Sequence, residues 1–386
     1  VKAHPRAGHL VQQIQGYRAF NPAPLPPSPD ITYDDDLVYA LSSANIAIGR
    51  LDALTNSLPN ADLFLAMYVR HEALLSSRIE GTECTLGDVV ASELMLSNSA
   101  NSEVREVVRY VSALNFGLAR LEALPLSNRL VREMHAVLLQ GGRGSEKSPG
   151  EFRRTQNWIG ARGCLLDDAV FVPPPIHVMS SALHNLENYM NESQHPALVV
   201  AGLSHAQFET IHPFLDGNGR TGRLLIALIL YQRAVLNKPV LYLSTYLKAN
   251  REEYFTRLTA IRERGQWELW LKFFLRGIEE SAVHSAATAT TVHQLRESDR
   301  RLVLERGGQK NELKLLDLLY SQPIINVAWA ERNLGVAKAT AHQLVSRLES
   351  HEILRETTGF KRNRVFRYDR YMRVFESISA EAGTAQ

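Results

Sequence analysis

The chain has 386 residues, 45% of them hydrophobic and 22% charged, with a formal net charge of +2. That length exceeds one ordinary core and predicts two or three domains, and the composition is that of a folded globular protein rather than a disordered one. A balance this close to neutrality supplies no global basic field of the kind that advertises a nucleic-acid binder, although local basic patches remain open. The two cysteines, Cys84 and Cys164, cannot build a disulfide framework and show no paired CxxC spacing for zinc; they read as inert thiols in a reducing compartment. The first twenty residues lack the apolar core of a signal peptide. The longest apolar run, 224–230, falls far short of the roughly 20 residues that span a bilayer. A soluble, cytoplasmic protein is expected.

In chain order, the proline-rich stretch at 21–30 reads as an extended surface arm. Residues 34–58 carry helical spacing through Leu37, Leu41, Ile46 and Leu51. A helix over about 61–80 follows and stops at Gly81, a residue suited to a helix C-terminus. Over 102–124, Val104, Val107, Val108, Val111, Leu114, Leu118 and Leu121 form one apolar stripe. A helix over 128–140 ends at Gly141 and Gly142. The character changes over 150–172, where Phe152, Trp158, Ile159, Val170, Phe171 and Val172 surround a turn-forming stretch at 160–168. This is a β-hairpin signal, closed by Pro173, Pro174 and Pro175. Helices are predicted again at 176–192, 196–212, 220–236, 250–264 and 266–283. The polar, alanine-rich 284–310 reads as a connecting helix and linker, and 311–370 reads as a separate small domain. The fold class expected is mainly α with one hairpin.

Residues 212–223 concentrate the chemistry. A helix with apolar Val199, Val200, Leu203, Phe208 and Ile211 runs up to His212. A tight loop with Asp216, Gly217 and Gly219 follows, and a second apolar helix then begins. A glycine loop that opens a helix presents unpaired backbone N–H groups and a partial positive charge, which together cradle an anion. Arg220 and Arg223 add fixed charge with fork geometry suited to phosphate. Asp216 is a hard oxygen ligand suited to a Mg²⁺ that phosphates also hold. His212 is placed to take a proton from an incoming hydroxyl. No GxxxxGK[ST] loop occurs, so this is not a Walker A site. The set points to phosphoryl or nucleotidyl transfer.

His212, Phe214, Asp216, Gly217, Asn218, Gly219, Arg220 and Arg223 match the pattern HxFx[D/E]GNGRxxR at every specified position, and the chain here resembles the Fic family. The resemblance implies a helical core that transfers AMP from ATP to a Ser, Thr or Tyr hydroxyl of a target protein. It implies His212 as general base, Phe214 as the buried anchor of the loop and Asp216 as the Mg²⁺ ligand. Gly217, Asn218 and Gly219 would form the anion hole, and Arg220, Thr221 and Arg223 would lie at the nucleotide. Gly150-Glu151-Phe152-Arg153 and Phe171-Val172-Pro173-Pro174 resemble the family's flap region, about 150–172, which holds the target segment by strand addition. Residues 240–254 resemble the adenine-pocket stretch, with Tyr246 and Asn250 expected near the base.

Ser76-Ser77-Arg78-Ile79-Glu80-Gly81 fits a second, shorter pattern, [S/T]xxxE[G/N]. Ser76 and Glu80 lie four apart and share a helix face. By resemblance, the helix over about 61–81 is inhibitory, and Glu80 pairs with Arg223. An arginine held by a carboxylate is not free to fix a nucleotide's γ-phosphate in the productive pose. Some relatives use this glutamate to remove AMP instead.

Residues 311–370 resemble a winged helix-turn-helix, with a turn at Leu334-Gly335-Val336, a recognition helix from Lys338 to Ser350, and a wing around Lys361, Arg362 and Arg364. Lys338, Thr340, Gln343 and Arg347 are expected on its exposed face. DNA contact and protein contact both remain open, because fold does not dictate function. The expected organisation is therefore an N-terminal helical region at 1–100, a catalytic core at 101–283, a linker at 284–310 and a winged-helix unit at 311–386. The expected substrate and cofactor are ATP and Mg²⁺. A target protein is expected as partner, with no membrane, and a homo-oligomer is left open. His71, His135 and His205 read as structural histidines, and Arg262 and Arg264 as a solvated helix face. Two alternatives stand beside AMP transfer: AMP removal or transfer of another nucleotide on the same fold, and an ATP-sensing DNA-binding regulator.

Overall fold

In the computed structural model the described residues are 2–57, 61–94, 101–161 and 163–381. Parts of three expected spans lie outside them: Val1, 58–60 and 95–100 of the N-terminal region, Arg162 of the flap, and 382–386 of the C-terminal unit. The chain opens with a ladder that the sequence did not announce. Strands β1 (Gly8–Gln12) and β2 (Arg18–Pro22) pair antiparallel from Gly8↔Pro22 to Gln12↔Arg18. The arm that follows leads into α1 (Asp35–Ser57), which lies along the far longer α11 (Trp267–Glu305).

Helix α2 (Ala61–Ile79) ends one residue before Glu80, and Gly81 adopts φ 94° there. A short α3 (Leu86–Ser92) begins with a capping box: Thr85 accepts from the Asp88 N–H while Asp88 accepts from the Thr85 N–H. This pair satisfies two donors that a helix start leaves open. Helix α4 (Ser102–Leu121) realises the valine stripe and buries Val104, Val107, Tyr110 and Leu114. Helix α5 (Asn128–Leu138) is capped by Ser127, whose hydroxyl accepts from the Leu130 N–H at 3.3 Å.

The segment expected as a flap hairpin keeps its antiparallel approach at one pair, Ile159↔Phe171. A 3₁₀ turn at Leu166–Asp168 fills the tip. Three prolines, which have no N–H to donate, prevent the return strand from extending. The end of this segment is held by β2, since the Phe20 N–H donates to the Val172 carbonyl at 2.9 Å. Helices α6 (Ile176–Glu192), α7 (Ala197–Ile211) and α8 (Asn218–Gln232) follow. Both α7 and α8 are buried over most of their length, which explains their near-continuous apolar sequence. Gly202 of α7 permits close approach to α11, because a side chain there would meet the Phe274 ring at 2.9 Å.

Helices α9 (Leu243–Ala249) and α10 (Arg251–Arg264) lead into α11. Residues 284–305, read as connecting helix and linker, form its second half. Beyond it come α12 (Lys310–Leu319), β3 (Ile324–Asn326), α13 (Val327–Leu334), α14 (Lys338–Ser350), β4 (Arg355–Glu356), β5 (Val365–Arg367) and α15 (Asp369–Glu381). The strands form an antiparallel sheet in the order β3-β5-β4. These elements pack on α2 and α3. The Phe375 ring meets the Tyr68 ring edge-on at 5.2 Å, Arg70 donates to the Ser321 carbonyl at 2.9 Å, and Gln322 donates to the Val90 carbonyl at 2.9 Å.

Candidate active site

The site lies where α7 hands over to α8. His212 caps α7 in the left-handed region, at φ 49° and ψ 60°, and its N–H still donates to the Phe208 carbonyl. A non-glycine residue in that region is held there by its surroundings. Three groups do so. Asn157 donates to the carbonyls of both His212 and Phe214, at 3.0 and 2.9 Å. Arg153 donates from Nε to the His212 carbonyl at 3.1 Å and from Nη2 to the Pro174 carbonyl at 2.5 Å. The Arg153 guanidinium is 2% exposed, and burial lowers its pKa to about 10.

Phe214 is fully buried and stacks on the His135 ring at 3.6 Å with the planes 4° apart. His135 takes the Gly150 N–H on Nδ1 at 2.9 Å, so its proton sits on Nε2 and goes to the Asp216 carbonyl at 3.0 Å. Burial lowers this imidazole to about pKa 4, which keeps it neutral and in that tautomer. The Asn218 amide grips Phe214 from the other side. Its oxygen accepts from the Phe214 N–H and its nitrogen donates to the Phe214 carbonyl, each at 2.8 Å. The Asn218 side-chain oxygen and one of its two amide hydrogens are thereby committed to the loop's own backbone. The Thr221 hydroxyl is similarly engaged, donating to the Gly217 carbonyl at 2.8 Å.

The turn at Gly217, φ 77°, starts α8 with its first N–H groups facing out of the helix. Arg220 is 3% exposed and lies between two carboxylates, Glu106 at 3.3 Å and Asp216 at 3.4 Å. Asp216 also accepts from the Gly217 N–H at 2.6 Å. Arg223, 4% exposed, donates from Nε to the Ser76 hydroxyl at 2.7 Å and from Nη2 to the Ser76 carbonyl and the Glu80 carboxylate, both at 2.9 Å. Glu80 thus reaches the first turn of α8. A methyl built on Gly219 would overlap its carboxylate oxygen. The Glu80 carboxylate therefore lies against the first turn of α8, on Arg223.

Burial raises the Glu80 carboxyl, but the charge and hydrogen bond of Arg223, with Arg220 and His212 behind them, outweigh this and hold it below the ordinary carboxylate value. Burial lowers His212 to about pKa 4, against the opposing pull of Glu80, so the imidazole is neutral and ready to accept a proton. One turn back on α7, burial raises Glu209 to about 7, with Arg223 opposing and Glu80 assisting.

Among the described residues no group of three His, Cys, Asp or Glu side chains could hold a metal ion by itself. Asp216 is the one carboxylate of the loop and is 26% exposed. That donor set fits a Mg²⁺ carried in on phosphates, which takes one or two protein carboxylates and keeps its waters. Tyr246 is 7% exposed and packs against Gly277 and the Phe273 ring, and Asn250 donates from its amide to the Tyr246 carbonyl at 3.0 Å. The two side chains expected near a base thus brace the corner between α9 and α10. Arg262, expected on a solvated face, stacks over the Phe171 ring at 3.9 Å. Sequence reading missed Asn157, Glu106 and Glu209. Only Glu209 carried a signal, its place three residues before His212 on one helix face.

Comparison with known proteins follows the same segment. Residues 38–119 match the Fic/DOC family N-terminal model, and residues 125–230 match the Fic/DOC family model. The protein adenylyltransferase Fic of Drosophila grimshawi is 31% identical over 160 residues, covering 39% of this chain and 31% of that protein. Its counterpart in Drosophila willistoni is 27% identical over 207 residues, covering 52% and 39%. A probable protein adenylyltransferase of Aquifex aeolicus is 38% identical over 85 residues, covering 22% and 27%. Each match spans well under half of the relative's own length. Among solved structures, a Fic family protein from Desulfovibrio desulfuricans G20 aligns with a TM-score of 0.55 at 20% identity, covering 88% of this chain and 97% of that one. A Fic domain containing signaling protein from Bacteroides thetaiotaomicron VPI-5482 gives 0.52 at 18%, covering 65% and 97%. At these identities the likeness is one of fold.

Proposed function

Taking the chain as the Fic/DOC family member that these matches make it, we propose that it transfers AMP from ATP to a Ser, Thr or Tyr hydroxyl of a target protein. The observation that carries this reading is the placement of a neutral imidazole beside a helix start whose arginine is occupied by a carboxylate from another helix. His212 takes the hydroxyl proton as that oxygen attacks the α-phosphorus, and pyrophosphate leaves. Backbone N–H groups of Asn218 and Gly219 face the phosphates, and Arg223, once released, supports the outer ones. A Mg²⁺ held through Asp216 would neutralise phosphate charge. General-base action supplies roughly 10²–10⁴-fold of the rate, and fixed donors aimed at developing charge supply the larger share.

In this reading Glu80 is a brake. It holds Arg223 and fills the space over Gly219, so ATP that enters is misaligned for in-line attack. Removal of AMP by the same site is the alternative outcome, with Glu80 positioning water. The C-terminal elements support a winged-helix reading, because helices α12, α13 and α14 are followed by a small antiparallel sheet. For DNA contact the free cations would be Lys338, Lys361 and Arg362, which are exposed. Arg347 instead pairs with the buried Glu312 at 2.9 Å, and Arg364 with Glu349 at 3.0 Å. No helix among the described residues is long and apolar enough to cross a membrane. Calorimetry tests the proposal: the Glu80→Gly protein should take up ATP with magnesium, and should lose that heat when Arg223 is also replaced by Ala. No heat in the Glu80→Gly protein would refute it.

A further inference from the structure

Among the buried polar atoms at the site that have no hydrogen-bond partner, two belong to neighbouring side chains. They are Nδ1 of His212 and Oε1 of Glu209. The two residues are three apart at the end of α7, and the other Glu209 oxygen, Oε2, stands 3.9 Å from Nδ1. Their side chains are 20% and 11% exposed. The space for this carboxylate is made by a glycine: a side chain at Gly222 would meet Glu209 Oε1 at 2.7 Å and His205 Nδ1 at 3.2 Å. A buried carboxylate with an empty acceptor is costly unless something uses it.

We propose that Glu209 is a positioning residue, whose carboxylate accepts the Nδ1–H of His212 and so leaves the Nε2 lone pair facing the hydroxyl to be deprotonated. This rests on the reading of His212 as general base. An imidazole carries one proton when neutral, and the partner of one nitrogen decides which nitrogen is left to act. Hydrogen bonds of catalytic pairs are often long before substrate binds, and this pair stands 3.9 Å apart. When Nε2 takes the hydroxyl proton, the ring becomes a cation, and an ionised Glu209 beside it stabilises that charge. The acyl-transfer triads use a third residue in the same sense.

The charges around the pair allow this ionisation to be tuned. Arg223 of α8 and Arg262 of α10 favour the carboxylate, while burial and Glu80 oppose it. Tyr254 of α10 also faces Glu209. Around the imidazole, Glu80 and the Glu209 backbone carbonyl favour the cation, and Arg153 and Arg262 oppose it. Release of Glu80 from the site thus removes a negative neighbour and makes Glu209 easier to ionise.

The test uses the full chain with Glu209→Gln, which keeps the shape, and Glu209→Ala, which removes the group. The first readout is the nitrogen NMR spectrum of the His212 ring, assigned by its loss in His212→Ala. The parent should show Nδ1 protonated and Nε2 bare, and both variants should show mixed tautomers and a shifted titration. An unchanged tautomer and titration in both would overturn the proposal and leave the Glu209 backbone carbonyl as the orienting group. The second readout is AMP transfer in the Glu80→Gly background. Here kcat should fall on the order of 10–100-fold, a part of the general-base contribution, while ATP affinity by calorimetry stays the same and the rising limb of the pH profile moves. Unchanged kcat would also overturn it. If the Glu80→Gly protein binds no ATP, the AMP-transfer reading fails, and the ring spectrum still decides the role of Glu209.

Discussion

Replacing Asn218 by Ala separates two roles that its position in the loop permits. If the side chain were a phosphate donor, its loss would weaken nucleotide binding and leave the fold alone. Its amide instead makes two 2.8 Å bonds to the backbone of Phe214, and the residue is 3% exposed. The Phe214 carbonyl keeps a second partner after the change, the Asn157 amide at 2.9 Å. The Phe214 N–H loses its partner and remains buried. One lost bond is worth about 1 kcal/mol, and the orphaned N–H adds about 1–3 kcal/mol, so Asn218→Ala should destabilise by roughly 2–4 kcal/mol. Urea unfolding followed by tryptophan fluorescence reads the total. Amide exchange of a peptide covering 212–220 reads the place, and should accelerate with the substitution. A loss below about 0.5 kcal/mol, the usual scatter of surface changes, with unchanged exchange would refute the argument.

Other outcomes follow from the same contacts. Phe214→Ala empties a fully buried ring site against His135 and should cost about 3–5 kcal/mol in the same unfolding assay. Gly219→Ala should release Arg223 by displacing the Glu80 carboxylate, so it should raise nucleotide uptake when Glu80 is present and lower or leave it unchanged when Glu80 is Gly. Stability should fall with acid. Burial depresses His71 and His205 to about 3, and His135 and His212 to about 4, so the unfolded chain binds more protons at these sites, and their contribution is lost as pH falls from about 6.5 toward 4. Burial raises Glu72 and Glu209 to about 7, which acts in the opposite sense, giving stability at low pH that is lost as pH rises to 7. Four imidazoles against two carboxyls leave about two protons, or about 2–3 kcal/mol per pH unit between pH 5 and 6. Unfolding midpoints that do not change over that range would contradict this.

The helices were legible where one face is apolar and the other polar, as in the valine stripe of α4. The loop at 212–223 was legible because its glycines, arginines and acid are chemically distinctive in a short span. What escaped depended on partners distant in sequence. The β1–β2 ladder lies in a stretch whose polar residues show no alternation, and its pairing is fixed partly by the contact of Phe20 with Val172. The 150–172 segment carries strand-forming residues, but a 3₁₀ turn and prolines limit it to one bridge. The grip of the Asn218 amide on the Phe214 backbone, from both its N–H and its carbonyl, is set by the fold of the loop and is not readable from spacing. Arg347 looked free until α12 brought a buried Glu312 beneath it. Side-chain engagement of this kind is set by tertiary contacts, which spacing along one element does not encode.

The most direct measurement of AMP transfer uses ATP labelled at the α-phosphate, incubated in cell lysate with the Glu80→Gly protein and with the same protein carrying His212→Ala. The account predicts a labelled protein band with the first and none with the second. Equal labelling by both, or label carried only from the γ-phosphate, would contradict it.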